Sequence, residues 1–368
     1  MIVGVPKEIK NKENRVGMVV AGVRALTQAG HKVLIQHNAG VGAGISDDDY
    51  RKAGATIIES AKEVYEKADM IVKVKEPLPE EYPLLRENQI LYTYLHLAAD
   101  ERLTKALMER KIVGIAYETI QPADGSLPLL APMSAVAGRM ATQIGATYLQ
   151  HDHGGKGMLL GGVTGVNRAN VVVLGGGVVG INSAKMAVGL GANVTILDVN
   201  VHRLDYLSDI FGNEITTLYS NSEQIEKAVL NADLVIGAVL VTGAKAPKLV
   251  TRDMISRMQP GSVVVDVAVD QGGSVETCRP TSHEHPTYTV DGVIHYAVPN
   301  MPGAVPRTST YALTNVTMKY AVMLANMGWK AAVAKDEALL KGVNILNGKV
   351  AYKQVADDLG LPFEPVRL

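Results

Sequence analysis

Four ionisable side chains follow apolar runs that have the character of buried β-strands. Arg15 lies in the loop after the first run, Lys75 follows MIVKV, His96 follows ILYTYL, and Asp270 follows VVVDVAV. In open α/β sheets, ligands bind outside the carboxyl ends of the strands. We therefore expect these four side chains to be able to meet in one cleft.

The chemistry of these groups suits a small oxo acid or amino acid. Arg15 can hold a carboxylate through a bidentate pair, and Lys75 can hold the carboxylate or polarise a carbonyl oxygen. His96 can transfer a proton near neutral pH, and Asp270 can orient or activate water or an amine. Each also has an ordinary structural alternative, such as a satisfied, partly buried histidine, a solvated strand end or a charged surface loop.

A glycine-rich turn follows the apolar run 171–174 in the segment VVVLGGGVVG. Gly175, Gly177 and Gly180 form the pattern G-x-G-x-x-G, which allows a tight turn, close approach to a pyrophosphate, and close helix–strand packing. The following helix would direct its N-terminal amides at the phosphates. This order of strand, glycines and helix predicts a dinucleotide site.

The acidic residue at the end of the next strand indicates which dinucleotide binds. Asp198 follows 194–197, eighteen residues after Gly180, where a carboxylate accepts hydrogen bonds from the adenosine ribose. The same carboxylate repels a 2′-phosphate, so NAD is favoured over NADP. Arg203 leaves two alternatives open, namely contact with the adenosine side of the cofactor or a solvated charge on a helix surface.

Short apolar runs alternate with helical patterns along the chain, which predicts an α/β fold with parallel sheets. Strands are expected at 2–5, 32–36, 70–74, 90–95, 112–116, 171–174, 194–197, 215–219, 233–237 and 263–267. Helical patterns include 60–68, 101–110, 134–150 and 308–327, with no evident strand series after 308. We expect two Rossmann-like, doubly wound parallel-sheet domains that flank a cleft and are joined by long helices.

The final helices must pack on a domain that is already built, because they have no strand series of their own. We therefore expect a discontinuous substrate and catalytic domain, 1–133 plus 307–368. The NAD-binding Rossmann domain, 134–306, would be inserted into it.

Composition excludes several classes of protein. The 368 residues are 47% hydrophobic with a net charge of −1, which allows about two folded domains but gives no bulk field for nucleic acid or an anionic membrane. The single cysteine excludes an intrachain disulfide framework and a cysteine-based zinc site. No apolar run approaches the roughly 18 residues that span a bilayer, and the N-terminus does not resemble a secretory signal. These features predict a soluble, cytoplasmic protein.

Motifs along the whole chain are similar to those of one known family. The segments PKEIKNKENRVG, VKVKEP, YLHLA, GGVTGV, VVVLGGGVVG, GAKAPKLV, VVVDVAVDQGG and VPNMPGAVPRTST resemble the alanine dehydrogenase family. The resemblance implies NAD-dependent, reversible oxidative deamination of L-alanine to pyruvate and ammonium. It also implies a homo-oligomer, usually a hexamer.

The resemblance also implies roles for individual residues. Arg15 and Lys75 would bind the substrate, and His96 and Asp270 would be the catalytic acid–base pair. Besides the three glycines, cofactor contacts are implied at Ser134, Val178, Val179, Asp198, Arg203, Ser220, Val239, Leu240, Val267, Ala268, Val269, Asp270, Arg279, Val298, Pro299, Asn300 and Met301. We expect no metal, because Lys75 and His96 can polarise the substrate oxygen.

Two segments depart from the family pattern. Met18-Val19-Val20 stand where the family commonly continues with Thr-Pro, which would change how the helix after Arg15 starts. Val241-Thr242 stand where an Ile-Pro type of pair is commoner, near the cofactor, which would change its affinity.

Three other functions compete with this one. The first is the NAD-binding component of a proton-translocating transhydrogenase, a relative with the same two-lobed architecture that lacks the histidine of YLHLA. The second is reduction of imines of larger amino acids. The third is a non-catalytic NAD sensor, which the combination of His96, Lys75 and Arg15 disfavours.

Overall fold

The chain forms two compact units, each built on one mostly parallel β-sheet covered by helices. A computed structural model describes residues 1–239, 246–269 and 272–367. The first unit consists of Met1–Met133 and Gly303–Leu368, and the second of Ser134–Pro302. This architecture confirms the predicted α/β class with two Rossmann-like domains.

The sheet of the first unit contains eight strands in the described residues. They are β1 (Ile2–Val5), β2 (Lys32–Gln36), β3 (Thr56–Ile58), β4 (Met70–Val72), β5 (Ile90–Thr93), β6 (Val113–Ala116), β14 (Val343–Leu346) and β15 (Lys349–Val350). Their order is β15-β14-β6-β5-β4-β1-β2-β3, and all pairs among β1 to β6 are parallel. Every residue of β5 and β6 is buried, which explains why these strands read as continuous apolar runs.

Helices pack on this sheet and several begin at a side-chain cap. They are α1 (Val20–Gln28), α2 (Asp47–Lys52), α3 (Ala61–Lys67), α4 (Glu101–Glu109), α10 (Pro306–Lys335), α11 (Glu337–Lys341) and α12 (Lys353–Leu359). Ser46, Ser60, Asp100 and Asp336 each accept a hydrogen bond from an amide in the first helical turn. In contrast, α1 starts after Val19 without a side-chain cap, at the segment where the sequence departs from the family pattern.

The long C-terminal helix is broken near the end of the predicted span. Gly328 in α10 has φ 71° and ψ 158°, which is not helical. A positive φ of this kind favours glycine, because it has no Cβ to clash. The predicted helix over 308–327 therefore ends at this glycine, and a second helical segment follows it.

The sheet of the second unit has a nucleotide-binding strand order. Its strands are β7 (Asn170–Leu174), β8 (Asn193–Asp198), β9 (Ile215–Tyr219), β10 (Leu234–Gly237), β11 (Val263–Asp266), β12 (Thr287–Val290) and β13 (Val293–Tyr296). The order is β12-β13-β11-β10-β7-β8-β9, with only the β12–β13 pair antiparallel among the described strands. Helices α6 (Val178–Gly189), α7 (Val201–Phe211), α8 (Ser222–Leu230) and α9 (Arg252–Arg257) connect these strands. The helix α5 (Ala131–Tyr148) links the two units in sequence.

Antiparallel hairpins at one edge of each sheet correct the sequence prediction. The expectation of no strands after 308 is wrong, because β14 and β15 pair with each other and β14 pairs with β6. Both hairpins turn through two residues with positive φ, Asn347-Gly348 and Asp291-Gly292. Asn-Gly and Asp-Gly are the preferred residues of such turns, so these dipeptides were the overlooked signal.

Within the described ranges, no helix combines the length and the apolar character that crossing a membrane requires.

Candidate active site

The candidate substrate residues of the first unit lie where the order of its parallel strands reverses. Following β1, the chain turns to one side of the sheet through β2 and β3, and then returns to the other side through β4, β5 and β6. Open α/β sheets bind ligands at such a switch point, beyond the carboxyl ends of the strands. Arg15 follows β1, Lys75 follows β4, and His96 follows β5.

The Arg15 guanidinium is buried and already forms a two-point pair within the protein. Its Nε donates to Oε1 of Glu13 at 2.7 Å, and Nη2 donates to Oε2 at 2.5 Å. Burial alone would lower the pKa of Arg15, but the bonds and charge of Glu13 outweigh burial and raise it. The bidentate fork that the sequence assigned to a substrate carboxylate is thus held by Glu13, and Nη1 points to the Met133 sulfur at 3.1 Å.

Lys75 has a fixed backbone, and its ammonium group has no partner among the described residues. Its carbonyl accepts a hydrogen bond from Thr93 Oγ1 at 3.0 Å, and its amide lies 3.4 Å from Glu8 Oε1. Among the described residues, its Nζ forms no hydrogen bond or ion pair. Burial and the nearby charge of Arg15 lower the pKa of Lys75, although Glu76 opposes them. This cation is available to an anionic or carbonyl ligand.

His96 is held in an unusual backbone conformation by a carboxylate. Its φ of 51° and ψ of 38° lie in the left-handed region, which is unfavourable for residues with a Cβ. Glu118 Oε1 accepts the amides of His96 at 2.6 Å and Leu95 at 3.1 Å, and it lies 3.8 Å from His96 Nδ1. The imidazole is 41% exposed and packs edge-on against Tyr94, so it can exchange protons with a ligand.

The glycine turn of the second unit has the geometry that a dinucleotide needs. Gly175 has φ 97°, and a Cβ on Gly180 would lie 1.8 Å from the Gly175 carbonyl oxygen, so both positions require glycine. A Cβ on Gly177 would meet no atom within 4 Å. Among the described residues there is thus open space beside Gly177, as expected of a glycine that lets a phosphate approach the start of α6. Val178 and Val179 form the first turn of that helix.

Asp198 and Arg203 lie beside the glycine turn and also bond to the protein. Asp198 Oδ2 accepts the Gly176 amide at 2.6 Å, and Oδ1 accepts the Asn200 amide at 2.8 Å. Arg203 Nε donates to the Gly176 carbonyl at 2.5 Å, and its guanidinium lies 4.8 Å from the Tyr206 ring centroid. Arg203 thus belongs to the turn and is not a freely solvated helix charge.

Most of the other predicted cofactor residues follow strands of the same sheet. Ser220 follows β9, Val239 follows β10, Val267, Ala268 and Val269 follow β11, and Val298, Pro299, Asn300 and Met301 follow β13. Two residues lie elsewhere. Ser134 is in α5, and Arg279 bonds through its amide to Tyr288 Oη at 2.8 Å and stacks on that ring. Leu240, Asp270 and the Val241-Thr242 pair lie outside the described residues.

Sequence reasoning missed the carboxylates that hold these residues. Glu13 pairs with Arg15, Glu118 binds the backbone of His96, and Asp266 accepts the amides of Ala268, Ser274 and Val275 at 2.8 to 3.2 Å. Glu118 and Asp266 were detectable, because each is an acidic residue at or just after the end of a buried strand.

Comparison with known proteins identifies the family. Residues 4–137 match the N-terminal domain and residues 141–353 the C-terminal domain described as alanine dehydrogenase/PNT. The chain belongs to this family.

Similar proteins in the alanine dehydrogenase/PNT family match almost end to end. Alanine dehydrogenase of Methanococcus maripaludis is 63% identical over 99% of this chain and 98% of its own length. Alanine dehydrogenase of Geobacillus stearothermophilus is 56% identical over 100% of this chain and 98% of its own length. A solved L-alanine dehydrogenase structure superimposes with a TM-score of 0.95 at 56% identity, covering 98% of this chain and 99% of that one.

The transhydrogenase alternative shares the fold. A transhydrogenase structure from Sinorhizobium meliloti gives a TM-score of 0.82 at 24% identity, covering 96% of this chain and 99% of that one. This likeness concerns architecture alone.

Proposed function

We propose that this protein is an NAD-dependent L-alanine dehydrogenase, which interconverts L-alanine with pyruvate and ammonium. The observation that carries the proposal is the near end-to-end identity, 63% and 56%, with alanine dehydrogenases. The Lys75 ammonium, which has no partner in the described part of the chain, and the exposed His96 imidazole agree with that chemistry. The two residues follow neighbouring strands.

The substrate groups are bound by the two cations of the first unit. Lys75 takes the carboxylate or the carbonyl oxygen of pyruvate, since its ammonium group has no other partner among the described residues. Arg15 contacts the substrate from a position fixed by its ion pair with Glu13. A charged hydrogen bond in such a place contributes about 1.5–3 kcal/mol.

In the direction of alanine synthesis, ammonia adds to the carbonyl carbon of pyruvate and gives a carbinolamine. His96 protonates the former carbonyl oxygen, which leaves as water and produces an iminium ion. Asp270 relays to that oxygen the proton that the ammonia nitrogen loses, so its carboxylate is ionised again and stabilises the iminium charge. The nicotinamide, when bound, supplies the hydride. The reverse sequence deaminates L-alanine.

The cofactor is held by the second unit. Gly175, Gly177 and Gly180 leave room for the pyrophosphate at the start of α6, and Asp198 lies beside that turn, where it would face the adenosine ribose. We assign NAD binding to 134–306, and substrate binding to 1–133 with 307–368.

We further propose a homo-hexamer, on the basis of the family resemblance alone, and a cytoplasmic location, on the basis of the composition. Light scattering at micromolar concentration tests the assembly, and a monomer mass would contradict it.

The activity is tested with purified protein, L-alanine and NAD, by following NADH absorbance. His96→Ala and Asp270→Asn should each lose about 10²–10⁴-fold in kcat while they still bind NADH. The double variant should lose little more than either single variant, because both residues serve one proton-transfer sequence. Absence of NADH formation by the wild-type protein would overturn the function, and near-wild-type kcat in Asp270→Asn would overturn the pair.

A further inference from the structure

A lysine with no solvent exposure lies between two carboxylates beside the candidate substrate residues. The side chain of Lys73 is 0% exposed, and its Nζ lies 2.8 Å from Glu81 Oε1 and 3.2 Å from Glu8 Oε2. Burial alone would lower the pKa of Lys73, but the two carboxylates outweigh it and raise it. Lys73 is therefore a buried cation between two acids. Glu8, Lys73 and Glu81 are here called the buried charge bridge, and the proposed reaction does not use them.

The buried charge bridge bonds to the backbone on both sides of Lys75. Glu8 Oε1 accepts the Val74 amide at 2.6 Å and lies 3.4 Å from the Lys75 amide. Glu81 Oε2 accepts the Leu78 amide at 2.9 Å. These acceptors serve a segment that has left β4 and has no complete ladder of strand hydrogen bonds.

Two buried tyrosines complete the arrangement. Tyr117 Oη donates to the Lys73 carbonyl at 2.9 Å, and Tyr65 Oη donates to Glu81 Oε1 at 2.8 Å. The Lys73 carbonyl and the Glu81 carboxylate, which binds the Leu78 amide, are thus each also held by a tyrosine hydroxyl. Little freedom remains for the backbone of residues 73–78.

Stability alone does not account for this bridge. Removing ions from water is costly, and well-packed apolar residues usually stabilise a core at least as well. An apolar cluster, however, could not accept the amides of Val74 and Leu78. The bridge therefore does something specific, which is to fix the main chain that carries Lys75.

We propose that Glu8, Lys73 and Glu81 are positioning residues that fix the backbone of residues 74–78 and so place the Lys75 ammonium for the substrate. This inference rests on the proposed function, because it takes Lys75 to bind pyruvate. Glu8 also lies in the loop after β1 that carries Arg15, so one carboxylate couples two segments that bear substrate residues.

The decisive variant is Glu8→Gln, which keeps the shape and one acceptor oxygen but removes the charge that faces Lys73. Misplacing a binding group by about 1 Å can cost on the order of 10²-fold, so we expect kcat/KM for pyruvate to fall about 10- to 100-fold. The Kd of pyruvate for the enzyme–NADH complex, read from NADH fluorescence without ammonium, should rise. The Kd of NADH itself should stay at the wild-type value.

Gln89→Met provides the matched control. Gln89 is 2% exposed and donates to the carbonyls of Tyr65 and Ala68, each at 2.8 Å. It precedes β5, at the opposite end of the sheet from Lys75. The control removes buried hydrogen bonds in the same unit, so it should lower the melting temperature without the selective loss of pyruvate binding.

The outcomes separate the inference from the proposed function. Suppose that Glu8→Gln and Gln89→Met have similar melting temperatures, similar pyruvate Kd values and similar kcat/KM values. The bridge is then only structural, and the inference is overturned. If Glu8→Gln is insoluble, Glu8→Asp replaces it, because the shorter acid keeps the charge against Lys73 while withdrawing from the Val74 amide. Wild-type kcat/KM in Glu8→Asp would equally overturn the inference. Failure of the wild-type protein to bind pyruvate would instead reject the proposed function.

Discussion

Replacing Glu118 with alanine should reduce turnover by releasing His96 from its left-handed backbone conformation. Glu118 Oε1 accepts the amides of both Leu95 and His96, and these bonds act where His96 has φ 51°. Without them, Glu118 no longer offsets the strain at His96. The imidazole would then spend most of its time on a backbone that points it elsewhere.

The size of the effect follows from the cost of that conformation. A left-handed residue with a Cβ costs about 1–2 kcal/mol. If the alanine variant leaves this cost without compensation, the productive backbone becomes the minor state, and kcat falls about 5- to 30-fold. Glu118→Gln keeps one acceptor oxygen for the two amides, so its loss should be smaller than that of Glu118→Ala.

The assay is reductive amination of pyruvate at saturating NADH and ammonium, with the melting temperature measured on the same samples. Glu101→Ala is the control, because Glu101 is 55% exposed and pairs with Lys105 on the surface of α4. The control should keep its kcat. A wild-type kcat in Glu118→Ala would refute the claim that this carboxylate maintains the position of His96.

Three further predictions concern the cofactor turn and Lys75. Gly180→Ala should abolish NADH binding, because its Cβ would lie 1.8 Å from the Gly175 carbonyl oxygen. The control is Gly189→Ala in the same helix, whose Cβ would meet no atom within 4 Å and which should bind NADH normally. Calorimetry measures NADH binding by both variants. Burial and the charge of Arg15 lower the pKa of Lys75 below its ordinary value of 10.5. Lys75 should therefore lose its proton, and the Kd of pyruvate should rise, at a pH below 10.5. Lys75→Arg should remove this rise, because arginine stays charged. Asp198→Gly should narrow the preference for NADH over NADPH in a binding titration, since it removes the carboxylate that repels a 2′-phosphate; equal use of both cofactors by the wild-type protein would contradict that role.

The strand ends were predictable from the sequence because parallel strands are buried on both faces. The runs that became β1, β4 and β5 are largely apolar, so the ionisable residues that follow them in the chain are expected at one edge of the sheet. The positions of Lys75 and His96 followed from that rule. The same rule does not detect the hairpin strands β12 and β15, because neither TYTV nor the two residues of β15 form a continuous apolar run.

Pairing between side chains was not predictable in the same way. Arg15 was expected to offer a free fork, but Glu13, two residues away, occupies it. Sequence spacing does not show whether a nearby acid turns inward with the arginine or outward to solvent. The left-handed backbone of His96 was equally hidden, since only a minority of histidines adopt it and a distant residue, Glu118, maintains it.

The edges of the first sheet restrict how copies of this chain can associate. One edge is β3, with three residues, and the other is β15, with two. The β15 edge is also covered, because Val350 forms a bridge with Phe363 and accepts the Glu364 amide at 2.9 Å. Short or covered edges give a second chain few unpaired amides for strand addition. Contacts between copies of this unit would therefore use helix faces and loops, and the sheet is protected from edge-to-edge aggregation.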